Sequence, residues 1–241
     1  MPIEMNQEQL LHRDLEILGG ADNYLEMQYE KIERHLGKRI LEVGAGTGNQ
    51  LARIIGKNPD LILALERNPD FCGILRERFA QRVQVVCGDM EAVPESQARL
   101  LLSARLDTII AVNFIEHIED DLGCLTRLAS FLEPKGRLVL ITPASMLLYS
   151  GLDRRYGHFR RYSKKRMEGY CAALNMTLLE NRYFNLSGWF GWLVCAKLGG
   201  CSCIDRRSMG IFDRLVGFLD RAESSITLPF GLSLLSVMEK A

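Results

Sequence analysis

The chain has 241 residues, and its 30 basic and 30 acidic residues give a formal net charge of zero. Hydrophobic residues make up 47% and charged residues 25% of the chain, which is typical of a globular protein. A balanced charge argues against a dedicated nucleic-acid-binding protein, because such proteins normally carry a basic excess.

The cysteines and the apolar runs indicate the cellular compartment and whether the chain spans a membrane. Its seven cysteines are scattered without a Cys-x-x-Cys pair, and no signal peptide is recognised, so reduced thiols and a cytoplasmic location are expected. The longest apolar run, 189–196, is far shorter than the roughly 20 residues that span a bilayer, so no transmembrane segment is expected. With only four histidines and no zinc-type cysteine spacing, no metal site is expected either.

Helical and strand-like patterns alternate along the chain. The first 36 residues carry apolar positions at helical spacing and predict a helical extension. Short runs of Val, Ile and Leu then predict strands at 39–43, 61–65, 83–87, 107–112, 137–142, 177–184 and 232–238. Helical patterns lie between them, at 49–56, 68–80, 122–132 and 163–174.

This order of elements indicates an α/β fold. Strands of continuous apolar residues are buried on both faces, and helices between strands imply parallel connections. We therefore predict a doubly wound, mostly parallel seven-stranded sheet in a single domain. Its predicted parts are a helical cap over 1–36, a cofactor-binding core over 37–184, a helical insertion or lid over 185–228 and a closing strand over 229–241.

The most informative motif is the sequence ILEVGAGTG at 40–48. A predicted strand ends at Val43, and Gly44, Gly46 and Gly48 form a turn that opens a helix. Glycine suits this turn because the backbone must adopt unusual angles and approach a ligand closely. Amides at the start of a helix would then face that ligand, so the motif predicts a nucleotide-type site.

Two acidic residues follow the next two predicted strands. Glu66 ends the second strand, where a carboxylate can accept hydrogen bonds from both hydroxyls of a ribose. Asp89 follows the third strand, beside a second glycine. Because the carboxyl ends of parallel strands meet at one edge of the sheet, these acids and the glycine turn predict a shared ligand site.

Together these motifs resemble those of the class I S-adenosylmethionine-dependent methyltransferases. The resemblance implies that the glycine turn holds the methionine part of the cofactor, that Glu66 binds the ribose and that Asp89 and Met90 flank the adenine. It also implies that Asn113 and Phe114, after the fourth strand, line the methyl-transfer site. The cofactor-binding residues implied in this way are Glu42, Gly44, Ala45, Gly46, Thr47, Gly48, Glu66, Arg67, Asp89, Met90, Asn113 and Phe114.

Two other classes of protein remain as alternatives. A nicotinamide-dependent oxidoreductase would share the fold, but its Gly-x-Gly-x-x-Gly motif places the third glycine one residue later than Gly48. A regulatory protein could bind the cofactor without turnover. Amino-methylation of nucleic acid is disfavoured, because the fourth strand ends in Asn-Phe-Ile-Glu and lacks the Asn/Asp-Pro-Pro-aromatic pattern.

Catalytic and acceptor-binding residues are predicted from two segments. His117 follows the fourth strand and His158 lies in the basic run 154–166, so either could act as general base, from opposite walls of the site. Seven Arg and Lys residues against one Asp in 153–166 predict a grip on an anionic acceptor. The predicted substrate-binding residues are Arg160, Arg161, Tyr162 and Lys164. The run also resembles a subgroup of bacterial methyltransferases of small metabolites.

The helical insertion has no role assigned by a motif. Apolar residues of 211–222 fall on one predicted helical face, and with Trp189, Phe190 and Trp192 they could form a lid, a contact with a second subunit or a membrane-surface anchor, or simply pack on their own domain. The sequence as a whole predicts methyl transfer from S-adenosylmethionine, which becomes S-adenosylhomocysteine, to an oxygen or nitrogen of a small, anionic and partly apolar metabolite.

Overall fold

A computed structural model describes residues 7–198, 205–223 and 226–241. Its strands are β1 (Arg39–Val43), β2 (Leu61–Glu66), β3 (Gln84–Cys87), β4 (Leu106–Val112), β5 (Leu132–Pro143), β6 (Met176–Phe184) and β7 (Ser233–Lys240). Its helices are α1 (Gln7–Gly19), α2 (Asp22–Ile32), α3 (Leu51–Ile54), α4 (Pro69–Phe79), α5 (Glu95–Ser103), α6 (Asp121–Phe131), α7 (Gly151–Arg155), α8 (Lys164–Ala173), α9 (Leu186–Trp192) and α10 (Arg206–Glu223).

The seven strands form one sheet in the order β3-β2-β1-β4-β5-β7-β6. The pairs β3–β2, β2–β1, β1–β4 and β4–β5 are parallel, whereas β7 runs antiparallel to both β5 and β6. The predicted doubly wound, mostly parallel seven-stranded fold is confirmed. The chain reverses its direction across the sheet between β1 and β4, and in such folds the ligand binds at the carboxyl ends of the strands near this point.

The central strands are buried on both faces because their side chains alternate between two hydrophobic layers. Leu41 and Val43 of β1 join one layer, while Ile40 joins the other. Ile109 and Ile110 of β4 divide between the same two layers. The continuous apolar runs in the sequence therefore reflect a sheet covered on both sides by helices.

Local signals set several helix ends. Asn68 caps α4, since its Oδ1 accepts hydrogen bonds from the amides of Asp70 (2.8 Å) and Phe71 (3.4 Å), and proline follows at the first helical position. Ser163 caps α8 as predicted. After the glycine turn, the helical segment predicted over 49–56 begins at Leu51, and its last turn is 3₁₀: α3 has four residues and continues as a 3₁₀ turn over Ile55–Lys57.

The expectation that every cysteine is a reduced thiol is also wrong. Cys72 of α4 and Cys87 of β3 form a disulfide, with their Cα atoms 5.9 Å apart. They meet because α4 folds back from the end of β2 onto the neighbouring strand β3. Cys124 and Cys171 are buried free thiols.

The N-terminal helices and α10 pack against each other beside the sheet. Val216 and Phe212 of α10 face the core, and a buried ion pair joins Asp220 to Lys31 of α2. Asp213 binds the side chain of Asn23 (3.0 Å) and the amide of the next residue. Among the described residues, no helix is both long and apolar enough to cross a bilayer.

Candidate active site

A cavity of about 330 Å³ opens at the carboxyl ends of β1, β2, β3 and β4. Of the residues predicted from the sequence, it is lined by Glu42, Gly44, Ala45, Gly46, Thr47, Glu66, Arg67, Asp89, Met90, Asn113, Phe114, His117, His158 and Arg161. The parallel register explains this, because each of the four strands ends at the same edge of the sheet.

Glycine is needed at the three positions of the turn for different physical reasons. All three have positive φ, of 68° at Gly44, 54° at Gly46 and 81° at Gly48, which favours glycine. A Cβ at Gly44 would lie 2.6 Å from Cδ2 of Phe114, so that ring can pack on the turn only if the side chain is absent. A Cβ at Gly48 would overlap the ring of Phe79, and Gly48 does not line the cavity. The third glycine therefore serves packing.

The carboxylate of Glu66 holds the glycine turn in place. Its Oε2 accepts a hydrogen bond from the amide of Gly46 (2.8 Å), and its Oε1 accepts one from the amide of Asn68 (2.9 Å). Asp89 plays a similar local role, since its Oδ1 accepts a hydrogen bond from the amide of Glu91 (2.9 Å). Both acids line the cavity, so both can meet a ligand while ordering the backbone around it.

Replacing Glu66 with alanine is expected to weaken the binding of S-adenosylhomocysteine at least tenfold, about 1.4 kcal/mol. The variant loses the carboxylate that we expect to accept hydrogen bonds from the ribose, and also the two hydrogen bonds that hold the turn. Isothermal titration calorimetry measures the affinity. Glu77→Ala, an exposed glutamate on α4, is the matched control and should bind like the wild type. Equal affinity of both variants would remove Glu66 from the cofactor site.

Glu42 is buried in the cavity wall with an unused oxygen. Its Oε2 is buried and has no hydrogen-bond partner within the described residues. Burial, and then the charge of the neighbouring Glu66, raise the pKa of Glu42 to about 8. A buried acceptor beside the glycine turn fits the ammonium group of the methionine part of the implied cofactor, and the narrow cradle at Gly44 fits its chain.

We expect cofactor binding at pH 7 to release up to about one proton from Glu42. The carboxyl group is mostly protonated in the free protein, and a cation placed beside it lowers its pKa, so the bound state holds fewer protons. Calorimetry in two buffers of different ionisation enthalpy measures the release. The Glu42→Gln variant should bind without that release. If wild type and variant release the same number of protons, Glu42 does not face the cofactor's ammonium group.

The turn after β4 carries the second half of the site. Asn113 has a left-handed backbone (φ 49°), and its amide donates to the carbonyl of Ile141 on β5 (2.8 Å). The 3₁₀ turn that follows carries Glu116 and His117 into the cavity wall. Burial raises the pKa of Glu116 to about 7, and burial together with His158 lowers the pKa of His117 to about 3.

The prediction that His117 and His158 occupy opposite walls is wrong. Their rings lie edge to face with centroids 4.7 Å apart. The reason is a backbone hydrogen bond from the amide of Phe159 to the carbonyl of Glu116 (2.8 Å), which joins the two segments. Asp153 contacts Nδ1 of His158 through Oδ1 (3.2 Å). Burial alone would raise the pKa of Asp153, but hydrogen bonds and charges from His158 and Arg161 lower it to about 2.

These residues form a cluster that could hold a metal ion, although none was expected from the sequence. One ligand atom each from Glu116, His117 and His158 lies within 4.8 Å of the others. Both carboxylate oxygens of Glu116 are buried without a partner in the described part of the chain. Two imidazoles and a carboxylate suit a divalent transition metal.

Of the arginines and lysines in the basic run 154–166, Arg161 alone lines the cavity, beside Tyr156 and His158 of the same run. Asp121 of α6 binds two of the other predicted substrate-binding residues. It pairs with Arg160 (2.8 Å) and accepts a hydrogen bond from the buried hydroxyl of Tyr162 (2.9 Å). Lys164 lies over the ring of Tyr183. Arg160, Tyr162 and Lys164 do not line the cavity, so the structure does not bring them together with the other predicted site residues.

Sequence reasoning missed residues that come from distant parts of the chain. The α1 and α2 helices cover the cavity, and the carboxylate of Asp14 is hydrogen-bonded to the hydroxyl of Tyr156. Glu116 adjoins His117 in the sequence and could have been found by that signal, whereas no motif marks the others. The additional lining residues include Asp14, Leu15, Leu18, Tyr24, Gln28, Glu116 and Tyr156. Trp192, which the sequence placed in a possible lid, also lines the cavity.

Comparisons with known proteins bear on what the cavity binds. A family profile described as a methyltransferase domain matches residues 21–185. The chain is 33% identical over 189 residues to the tRNA U34 carboxymethyltransferase of Syntrophotalea carbinolica, covering 75% of this chain and 52% of that protein. It is 26% identical over 175 residues to cobalt-precorrin-6B C(15)-methyltransferase (decarboxylating) of Salmonella typhimurium, covering 69% and 83%.

The fold is shared with solved structures. A SAM-dependent methyltransferase from Archaeoglobus fulgidus matches with a TM-score of 0.56 and 15% identity, covering 90% of this chain and 94% of that one. The chain spans about half the length of the tRNA-modifying relative. Since that relative is named for tRNA, the expected exclusion of nucleic acid is not supported. The nicotinamide-dependent alternative is not favoured by any of these matches.

Proposed function

Because the chain belongs to the class I S-adenosylmethionine-dependent methyltransferases, we propose that it methylates an oxygen or nitrogen of a small, partly apolar acceptor. The observation that carries the proposal is the meeting of the glycine turn, Glu66 and the two histidines around one cavity. The bound cofactor supplies an electrophilic methyl group on a sulfonium. The protein's main task is then to hold the acceptor atom, the methyl carbon and the sulfur in line.

The residues of the cavity divide this task. Glu42, the glycine turn and Glu66 hold the cofactor from the side of β1 and β2. Asn113 and Phe114 follow β4 and line the wall between the turn and the histidines. The ring of Phe114 packs on Gly44, so it also fixes the position of the turn relative to the acceptor side.

His158 is the residue that we propose as general base. Asp153 contacts its Nδ1 (3.2 Å), and a proton held there leaves Nε2 free to accept a proton from the acceptor. His117, whose pKa is lowered to about 3, is a poor proton acceptor and stays neutral at physiological pH. Its role is to orient the acceptor next to the imidazole of His158.

The acceptor enters a cavity that must also hold the cofactor, so only a small reacting group fits inside. Leu15, Leu18 and Trp192 supply an apolar part of the wall, which favours a partly apolar acceptor. The anionic character predicted from the basic run depends on Arg161 alone, because it is the one substrate-binding candidate that lines the cavity. Its Nε already donates to Asp153 (2.7 Å).

Two measurements test the proposed function. Calorimetric titration should show binding of S-adenosylhomocysteine and no binding of NAD. Incubation with labelled S-adenosylmethionine and separate panels of small metabolites, lipids and RNA should label a small metabolite or lipid. Binding of NAD alone would overturn the methyltransferase assignment, and labelling of RNA alone would overturn the proposed acceptor class.

A further inference from the structure

Glu116 is a buried carboxylate without a hydrogen bond from the rest of the chain. Its side chain lies in the cavity wall and is fully buried, and neither carboxylate oxygen has a hydrogen-bond partner among the described residues. A buried polar group without a partner costs free energy, and a charged one costs more. The arrangement therefore suits a donor that enters the cavity from outside the chain.

The cationic side chains of the described cavity wall do not supply that donor. Arg161 donates through Nε to Asp153 (2.7 Å) and through Nη1 to a backbone carbonyl (3.3 Å). Its charge also acts on Glu116, but the charge of Asp153 opposes it. Arg67 is exposed, so water screens its charge. His158 attracts the carboxylate only as an imidazolium, whereas a general base must be neutral, so Glu116 is open to a cation that enters the cavity.

Glu116 shares one corner of the cavity with two imidazoles. One carboxylate oxygen of Glu116 and one nitrogen each of His117 and His158 lie within 4.8 Å of one another. Any three atoms this close have a point within about 2.8 Å of all of them, which is hydrogen-bond distance for an N–H donor. Each neutral imidazole carries one acceptor nitrogen. A single group with three N–H donors can therefore bind all three side chains at once.

Aromatic rings adjoin this corner of the cavity. Tyr156 lines the cavity, and the centroid of its ring lies 5.7 Å from that of His158. The face of an aromatic ring attracts an organic cation. The same wall already holds one cation in this way, since the guanidinium of Arg161 lies 4.7 Å from the ring of Trp192. The wall therefore suits a cationic group that is carried on an apolar body.

We propose that the methyl acceptor is a primary amine, which binds as an ammonium ion, and that Glu116 selects it. The proposal rests on the proposed function, which leaves oxygen and nitrogen acceptors open. An ammonium ion has three N–H donors and a positive charge, so it matches the three acceptors and offsets the buried carboxylate. A hydroxyl group donates only one hydrogen bond, and an anionic acceptor meets Glu116 as a like charge.

The transfer step uses the three side chains of this corner. The ammonium ion gives one proton to Nε2 of His158, which becomes an imidazolium, and the nitrogen recovers its lone pair. That pair forms the bond to the methyl carbon, while the electron pair of the carbon–sulfur bond stays on sulfur. The products are a methylated ammonium ion and S-adenosylhomocysteine, and His158 releases its proton to water. Glu116 and His117 hold the nitrogen through its two remaining N–H groups.

Ligand-observed NMR titrations of the full chain with S-adenosylhomocysteine test this selection. The probes are butylamine, benzylamine and phenethylamine, which are ammonium ions at pH 7, the alcohol of each skeleton, and benzoate. At least one amine should bind about tenfold more tightly than its alcohol, and benzoate should bind most weakly. Glu116→Gln should remove the preference for the amine and leave the affinity for the alcohol unchanged. Glu119→Gln, an exposed position just after the same turn, is the matched control and should keep the preference.

The other outcomes are decisive. A wild type that binds no amine more tightly than its alcohol overturns the proposal, and this comparison does not depend on any variant. A preference that survives in Glu116→Gln overturns the role of Glu116, and a Zn²⁺ complex without a preference for amines assigns the corner to a metal ion instead. Calorimetry with S-adenosylhomocysteine should give Glu116→Gln the wild-type affinity. A wild type that prefers amines without binding S-adenosylhomocysteine would contradict the methyltransferase function alone.

Discussion

Replacing His158 with alanine is expected to lower kcat by about 10²–10⁴-fold, which is the usual contribution of a general base. The imidazole is held by Asp153 and lies against His117 at the cavity wall. Removing it takes away the proton acceptor while leaving the glycine turn and Glu66 intact. The affinity for S-adenosylhomocysteine, measured by calorimetry, should therefore stay at the wild-type value while turnover of the acceptor falls.

Two comparisons make this prediction specific. Asp153→Asn should also lower kcat while cofactor affinity stays unchanged, because Asp153 holds the imidazole of His158 at Nδ1. Chelation separates the base from a metal ligand, since Glu116, His117 and His158 could also hold an ion. Activity lost with a chelator and restored by a divalent metal would assign His158 to the ion. An unchanged kcat in His158→Ala would show that the acceptor reaches the site already deprotonated.

Replacing Asp220 with alanine is expected to lower the free energy of unfolding by about 3–5 kcal/mol. The side chains of Asp220 and Lys31 are only 7% and 6% exposed, so the variant leaves an ammonium buried between α2 and α10 without its partner. Urea denaturation followed by circular dichroism measures the loss. Since the pair lies outside the cavity, cofactor affinity under native conditions should change little.

An exposed ion pair of α2, the helix that carries Lys31, is the control. Glu26 pairs with Arg53 but is 52% exposed, so Glu26→Ala should cost only about 0–1 kcal/mol. The double variant with Lys31→Met and Asp220→Leu should recover most of the stability, because it removes both buried charges together. A loss below about 1 kcal/mol in Asp220→Ala would mean that the ammonium of Lys31 finds water or another partner.

The sheet and its ligand edge could be predicted because their signals are local. Each strand from β1 to β4 is a short apolar run, and a glycine, Glu66, Asp89 or Asn113 stands at or just after its end. Parallel pairing then brings these ends together without further information. The start of α4 at the Asn68 cap and the proline after it was predicted correctly for the same reason, because a cap involves only neighbouring residues.

The acceptor side could not be predicted because it depends on contacts between distant segments. Arg160 turns away from the cavity because of Asp121, and nothing in the basic run shows where that partner lies. Asp14 comes to the cavity through packing of α1, and His158 comes to His117 through a backbone hydrogen bond of its neighbour. For Arg160, Asp14 and His158 alike, tertiary packing determines which residue each side chain contacts.

The place of β7 in the sheet has a consequence for synthesis on the ribosome. In the part of the chain that the structure describes, β6 pairs with β7 alone, yet the 48 residues from 185 to 232 are made between them. At about 5–20 residues per second, that interval lasts roughly 2–10 s. During this interval β5 is an unpaired edge of the sheet, and the apolar residues of α9 and α10 are emerging from the ribosome. The nascent chain is therefore open to aggregation through that edge until β7 pairs with it.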